Sequence, residues 1–159
     1  MSRRKGMADE KFKRVAQICI VVRDIEKARS EWAKLLGVKE NPISETEEYE
    51  ATHATFMGKP TKARAKLTFF PFENIVLEII EPIGEPSTWQ QFLDEKGEGL
   101  HHIAFQVEDL DGTLERFRKQ GINVEQKGDY RGGCYTYMNS KAKLGCVIEL
   151  LHSHKEKAP

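Results

Sequence analysis

Residues 17–38, QICIVVRDIEKARSEWAKLLGV, and residues 102–122, HIAFQVEDLDGTLERFRKQGI, carry the same text in outline. Each begins with a strand-like segment whose side chains alternate between two faces. An acidic turn follows (Asp24, Asp109), then an amphipathic helix, then a glycine (Gly37, Gly121). Asp accepts hydrogen bonds from the first free N–H groups of a helix, and Gly takes the left-handed conformation that ends one. Ile25, Ala28, Trp32, Leu35 and Leu36 form the apolar stripe of the first helix. Leu110, Leu114 and Phe117 form that of the second. Strand, cap, helix and stop therefore agree in both copies, and the chain reads as an internal repeat.

Outward from these segments, each copy continues as strands. The first supplies 51–57, 65–70 and 75–80, with PFEN (71–74) as a turn. The second supplies 124–126, 134–138 and 146–151, with NSKAKLG (139–145) as a turn. Between the copies, EPSTWQQFLDEKGEG (85–99) carries a short helix, with Ser87 and Gln90 spaced as a capping box and Gly97 as the stop. The expected fold is α+β, two tandem βαβββ modules curving around a shared metal-binding cleft. The boundaries are a disordered extension over 1–12, a first module over 13–83, a linker with a short helix over 84–99, a second module over 100–153 and a tail over 154–159.

Two strands pose a chemical problem. In NIVLEIIEP (74–82) Glu78 shares a face with Val76 and Ile80; in CVIELLH (146–152) Glu149 shares one with Val147 and Leu151. Burying an unpaired carboxylate costs several kcal/mol, about the value of a small domain's net stability, so two in matching contexts imply a common partner. Pointing Leu77/Ile79 and Ile148/Leu150 inward instead would leave both acids in water. That alternative does not account for Gln17 and His102, which open the two aligned first strands. Pseudo-twofold symmetry brings Gln17, Glu78, His102 and Glu149 together. Three oxygens and one nitrogen suit one divalent ion with open coordination positions better than a closed Cys/His zinc site. His101 falls on the opposite face, as a structural or supporting residue. His53, His152 and His154 have no symmetric counterpart and read as ordinary surface or core histidines.

Composition excludes other classes. The 159 residues are 39% apolar and 31% charged, with 25 basic and 25 acidic side chains. No basic excess points to nucleic acid, and no apolar run approaches a membrane span. The N-terminus, MSRRKGMADEKFKR, has positive charge but no apolar segment after it, so a cytoplasmic location is expected. Cys19, Cys134 and Cys146 lack CxxC spacing and read as small buried residues in a reducing compartment.

At these residues the sequence resembles the vicinal oxygen chelate superfamily, which includes glyoxalase I, bleomycin-resistance proteins, extradiol dioxygenases and methylmalonyl-CoA epimerases. The run FLDEKGEGLHHIAFQVEDLDGTLERFRKQGI (92–122) and the segment EIIEPIGEPS (78–87) are most similar to the epimerases. The resemblance implies that Gln17, Glu78, His102 and Glu149 are metal ligands, for cobalt, nickel, manganese, magnesium or zinc, and that Glu149 is also the general base. It implies proton transfer α to a carbonyl of an acyl-CoA or thiol-adduct substrate, in a homodimer. Epimerases have His where this chain has Gln17, and the Gln/Glu/His/Glu set is that of eukaryote-type glyoxalase I. They also carry a glutamate before the third strand, where this chain reads GKPTKARAKLTFF (58–70) without a carboxylate; Glu47, Glu48 and Glu50 lie upstream. An isomerase of the epimerase type is expected, with a glyoxalase I-like lyase or a non-catalytic ligand-binding protein as alternatives. Phe69, Phe72, Tyr135 and Tyr137 could wall the cleft, though core packing is the simpler role. Lys59, Lys62, Arg64 and Lys66 could meet a phosphate, though a solvated strand face accounts for them equally.

Overall fold

The computed structural model describes Phe12 and residues 14–154. The extension expected over 1–12 and the tail over 154–159 otherwise lie outside the described residues. Phe12 itself packs edge-on against Phe105, with ring centroids 5.0 Å apart, so contacts with the fold begin before residue 13.

The elements run β1 (Gln17–Val21), α1 (Ile25–Leu36), β2 (Ser44–Glu45), α2 (Tyr49–Thr52), β3 (Thr55–Phe56), β4 (Lys59–Pro60), β5 (Arg64–Pro71), β6 (Val76–Ile83), α3 (Thr88–Lys96), β7 (Gly99–Gln106), α4 (Leu110–Lys119), β8 (Val124–Tyr130), β9 (Gly133–Met138), α5 (Lys141–Leu144) and β10 (Val147–Ser153). The repeat is present in the caps. Asp24 accepts from the Lys27 N–H and Asp109 from the Gly112 N–H, while Gly37 and Gly121 take φ of 67° and 75°.

The ten strands among the described residues form one mixed sheet, in the order β2-β5-β6-β1-β7-β10-β9-β8-β3-β4, curled into a half-barrel. At its centre β1 and β7 pair antiparallel, and each pairs parallel with the last long strand of its own copy, β6 or β10. This central pair carries the pseudo-twofold axis. The expectation that 51–57 forms a strand of the first module is corrected. Tyr49–Thr52 makes a helical turn, and the β3–β4 hairpin crosses over to pair with β8 of the second copy. β2 takes the vacated edge of β5. An unpaired edge leaves backbone N–H and C=O groups open, and the crossing closes one such edge on each side. NSKAKLG likewise contains a one-turn helix, α5, rather than a plain turn.

The outer face of the sheet is covered by α1 and α4. Leu77, Ile79 and Phe70 pack with Val22, Ile25 and Ala33; Ile148, Leu150 and Met138 pack with Leu114 and Phe117. The residues alternating with them face inward, and α3 fills much of that concavity with Trp89, Phe92 and Leu93. The segment expected as a linker thus contributes to the inner core. Ser87 accepts from the Gln90 N–H at 3.1 Å, but the Gln90 side chain bonds Asp94 instead of returning to the cap, so only half of the capping box forms. Trp89 is 3% exposed and its indole N–H donates to the Tyr137 hydroxyl at 3.1 Å. Trp89→Ala is expected to cost about 3–5 kcal/mol, the usual toll of truncating a buried aromatic. Denaturant unfolding checks this; a loss below about 1 kcal/mol would show that α3 does not support the core.

Candidate metal centre

The strand register explains how distant residues meet. On the inner face, one row across the sheet places Glu78 opposite Cys19, Cys19 opposite His102, and His102 opposite Val147. The next row holds Val76, Gln17, Ala104, Glu149 and Tyr137 in the same way. The small side chains of Cys19 and Ala104 leave room between the polar groups. Glu78 and Glu149 are 7% and 4% exposed, so the alternative in which both acids face water is excluded.

His102 Nε2 lies 3.2 Å from Glu78 Oε2 and 3.0 Å from Glu149 Oε2. None of these three buried atoms has a hydrogen-bond partner of acceptable geometry. Unpaired buried polar atoms are rare in folded proteins, and here three converge from separate strands. Two carboxylate oxygens and an imidazole nitrogen are suitable donors for a divalent ion, so the residues present fit the expected metal. Gln17 lines the same cavity from the start of β1, beside Glu78 and Glu149.

Cys19 was not among the expected ligands, yet its sulfur lies within 4.8 Å of donor atoms of both Glu78 and His102. Its place on the Gln17 face was visible in the sequence, but nothing there distinguished a site residue from a small core residue. Burial pushes its thiol up to about 12, so it enters the site protonated. Burial opposes charge on His102, but the acidic groups beside it, Glu149 among them, outweigh that and hold its pKa well above the ordinary histidine value. In the metal-free protein the imidazolium is therefore the site's cation. Burial likewise raises Glu149, against the lowering effect of His102. Tyr137, whose pKa burial and then Glu149 drive well up, accepts from the Trp89 indole and stands opposite Glu149 in the β9–β10 ladder.

Behind His102 runs a directional chain of hydrogen bonds. His102 Nδ1 lies 2.9 Å from His101 Nδ1, and His101 Nε2 lies 3.1 Å from Thr88 Oγ1. The Thr88 hydroxyl donates to Glu125 Oε2 at 3.1 Å, and its backbone N–H donates to Gln126 Oε1 at 2.8 Å. Burial, then the neighbouring His102 charge, keeps His101 well below the ordinary histidine value, hence neutral. Since Thr88 donates onward, His101 Nε2 must be the donor to Thr88. That leaves His101 Nδ1 to accept from His102 Nδ1–H and frees His102 Nε2 to face the two glutamates. His101 is thus a supporting residue, but not on the opposite face as expected: a bulge where β7 pairs with Cys19 and Ile20 lets it pack inward against Phe92 and Tyr137.

The cavity in front of this cluster has a volume of about 410 Å³. Phe69, Tyr135 and Tyr137 line it; Phe72 lies instead in a separate depression with Phe12 and Val15. The basic cluster is not part of its wall. Arg64 is paired with Glu45 and Glu48, and Lys66 with Glu81. The cation on the wall is Arg131, with the carboxylates of Glu45, Glu47 and Asp129. Nothing in the sequence marked Arg131, which lies in the β8–β9 turn.

Comparison with known proteins agrees with this architecture. Residues 16–139 match the profile of the Glyoxalase/Bleomycin resistance protein/Dioxygenase superfamily. The chain is 25% identical over 142 residues to an ethylmalonyl-CoA/methylmalonyl-CoA epimerase of Cereibacter sphaeroides, covering 86% of this chain and 96% of that protein. It is 31% identical over 142 residues to the uncharacterized protein YqjC of Bacillus subtilis, covering 86% and 90%. Among solved structures, methylmalonyl-CoA epimerase in complex with methylmalonyl-CoA and NH4+ superposes with a TM-score of 0.60 at 22% identity, over 94% of this chain and all of that one. The hypothetical protein BH1468 of Bacillus halodurans superposes with a TM-score of 0.63 at 18% identity, over 96% and 100%. With the repeat, the half-barrel and the profile match over most of its length, the chain belongs to the glyoxalase/bleomycin resistance protein/dioxygenase superfamily.

Proposed function

We propose that this chain is a metal-dependent proton-transfer enzyme of the epimerase type, interconverting the C2 epimers of methylmalonyl-CoA. The observation that carries the reading is the convergence of Glu78 Oε2, His102 Nε2 and Glu149 Oε2, buried and without a hydrogen bond, beside the cavity that the two glutamates line. The similarity to curated epimerases supports methylmalonyl-CoA as the substrate. A divalent ion held by Gln17, Glu78, His102 and Glu149 would supply Lewis-acid polarisation of the substrate carbonyl and favour the enolate.

The chain's own residues do the rest. Glu149 takes the C2 proton; its raised pKa brings it nearer the range useful for a general base. Arg131 on the cavity wall is placed to receive an anionic group of the substrate. Inversion needs a second proton donor on the other face of the enolate. Glu45 is tied to Arg64 at 2.9 Å, whereas Glu47 is exposed and lines the cavity, which makes Glu47 the better candidate. A homodimer belongs to this proposal through the family resemblance alone. Among the described residues, no helix is long and apolar enough to cross a membrane.

A glyoxalase I-like lyase is the second reading, favoured by one observation. The cavity contains glutamine at position 17 and glutamate at position 78, and the same machinery would shift a proton between adjacent carbons of a hemithioacetal.

Inversion of a single methylmalonyl-CoA epimer, followed by circular dichroism, tests the leading reading. The wild type should invert it, and Glu47→Gln should invert it about tenfold or more slowly while still releasing the C2 proton from one face. A wild type that leaves each epimer intact would contradict the proposal. Metal uptake has a signed pH dependence. His102 carries a proton in the metal-free protein, so an entering ion must expel it. Below the raised pKa of His102, affinity is expected to fall about tenfold per unit drop in pH. Titration calorimetry in buffers of different ionisation enthalpy should show about one proton released per ion bound; uptake without proton release would contradict the assigned site.

A further inference from the structure

A second group of metal-capable side chains lies away from the central cluster. Asp129, Cys134 and His154 each present a donor atom, and these atoms all lie within 4.8 Å of one another. The sequence did not single them out, because they come from β8, β9 and the segment just beyond β10. The sheet brings them together. Asp129 is opposite Cys134 in the β8–β9 ladder, and Cys134 is opposite His152 in the β9–β10 ladder. His154 follows two residues later on the same face, with its ring 6.1 Å from that of His152. Its backbone is held in place by a 2.9 Å hydrogen bond from the His154 N–H to the Gly132 carbonyl.

We propose that Asp129, Cys134 and His154 form a second transition-metal site, selective for zinc. A thiolate, an imidazole and a carboxylate are the donors that zinc takes in tetrahedral sites. Zinc distances of about 2.0–2.3 Å place tetrahedral donors roughly 3.3–3.8 Å apart, so the three side chains need to close by no more than about 1–1.5 Å. They have the freedom to do so, because Cys134 is half-buried and His154 exposed. His53 Nδ1 sits 3.3 Å from Asp129 Oδ2 and orients that carboxylate, as outer partners of metal ligands commonly do. A water completes the tetrahedron.

The location gives the ion a structural task. Asp129 and Cys134 bracket the turn whose Tyr130 and Arg131 line the cavity, and His53 belongs to the first copy's crossing segment. An ion at this point ties the second copy's hairpin and the end of β10 to each other. Through His53 and Asp129 it also joins the first copy at the cavity rim.

Cobalt titration of the metal-stripped full-length protein tests the site, because a thiolate bound to cobalt gives a near-ultraviolet charge-transfer band that oxygen and nitrogen ligands do not. The wild type should develop this band, and zinc should displace it. Cys134→Ser, a near-isosteric change at a half-buried strand position, should abolish the band, whereas Cys19→Ser should keep it. Asp129→Asn and His154→Ala should each weaken cobalt binding in the band-forming site at least tenfold, and His53→Ala by less. Absence of the band in the wild type, its persistence in Cys134→Ser, or its loss in Cys19→Ser would overturn the proposal.

Discussion

Glu149→Gln is expected to lower turnover by about 10²- to 10⁴-fold, the range associated with losing a positioned acid–base group. The amide keeps the size of the side chain and one oxygen that can still face His102, but it has no useful basicity. The change is nearly isosteric, so the fold should survive, and unfolding curves of the variant should stay close to wild type. The expected pattern is a fall in kcat and kcat/KM together, because the missing interaction belongs to the proton-transfer step rather than to substrate binding. Steady-state kinetics with metal present throughout provides the check. Normal turnover would show that Glu149 is not the base.

His102→Ala should have the second large effect, on metal rather than on rate alone. It removes the imidazole that stands between Glu78 and Glu149 and leaves two buried carboxylates facing each other without a cation. The central ion is expected to be lost, and the metal-free variant should also be less stable than metal-free wild type at neutral pH, where the imidazolium is missed. Thr88→Val is the graded counterpart. It keeps His102 but breaks the chain to Glu125, so His101 loses its acceptor. Affinity for the central ion should fall about 10- to 100-fold, as for other partners behind metal ligands. Gln17→His should retain the ion, since imidazole replaces an amide oxygen with a stronger donor. Elemental analysis after dialysis distinguishes these outcomes. Unchanged metal content in His102→Ala would remove the cluster from consideration as the metal site.

The parts of this arrangement that were legible in the sequence share a physical reason. Strand alternation and helix caps are local, so the two copies of strand, Asp cap, helix and Gly could be recognised from neighbouring residues alone. The four polar positions followed from that alignment; the structure brings Glu78 and Glu149 against His102, and Gln17 lines the same cavity as the two glutamates. The residues that escaped notice depend on pairings between distant strands. Cys19 is part of the site because β1 lies between β6 and β7 in a register that sets it opposite both Glu78 and His102. The crossing of β3–β4 to β8 depends on an open edge in the other copy, which a segment as short as ATHATFM cannot reveal. Thr88 and Glu125 meet only because α3 enters the half-barrel rather than bridging its modules on the surface.

Solvent exchange at C2 of methylmalonyl-CoA tests the central claim most directly. The metal-loaded protein, in deuterium oxide, should introduce deuterium at C2 of at least one epimer, monitored by proton NMR. Metal-stripped protein and Glu149→Gln should not do so at a comparable rate. The hemithioacetal of methylglyoxal and glutathione, assayed alongside with the same metals, should be turned over slowly or not at all. Rapid conversion of the hemithioacetal with no exchange in the CoA ester would contradict the epimerase reading and establish the lyase in its place.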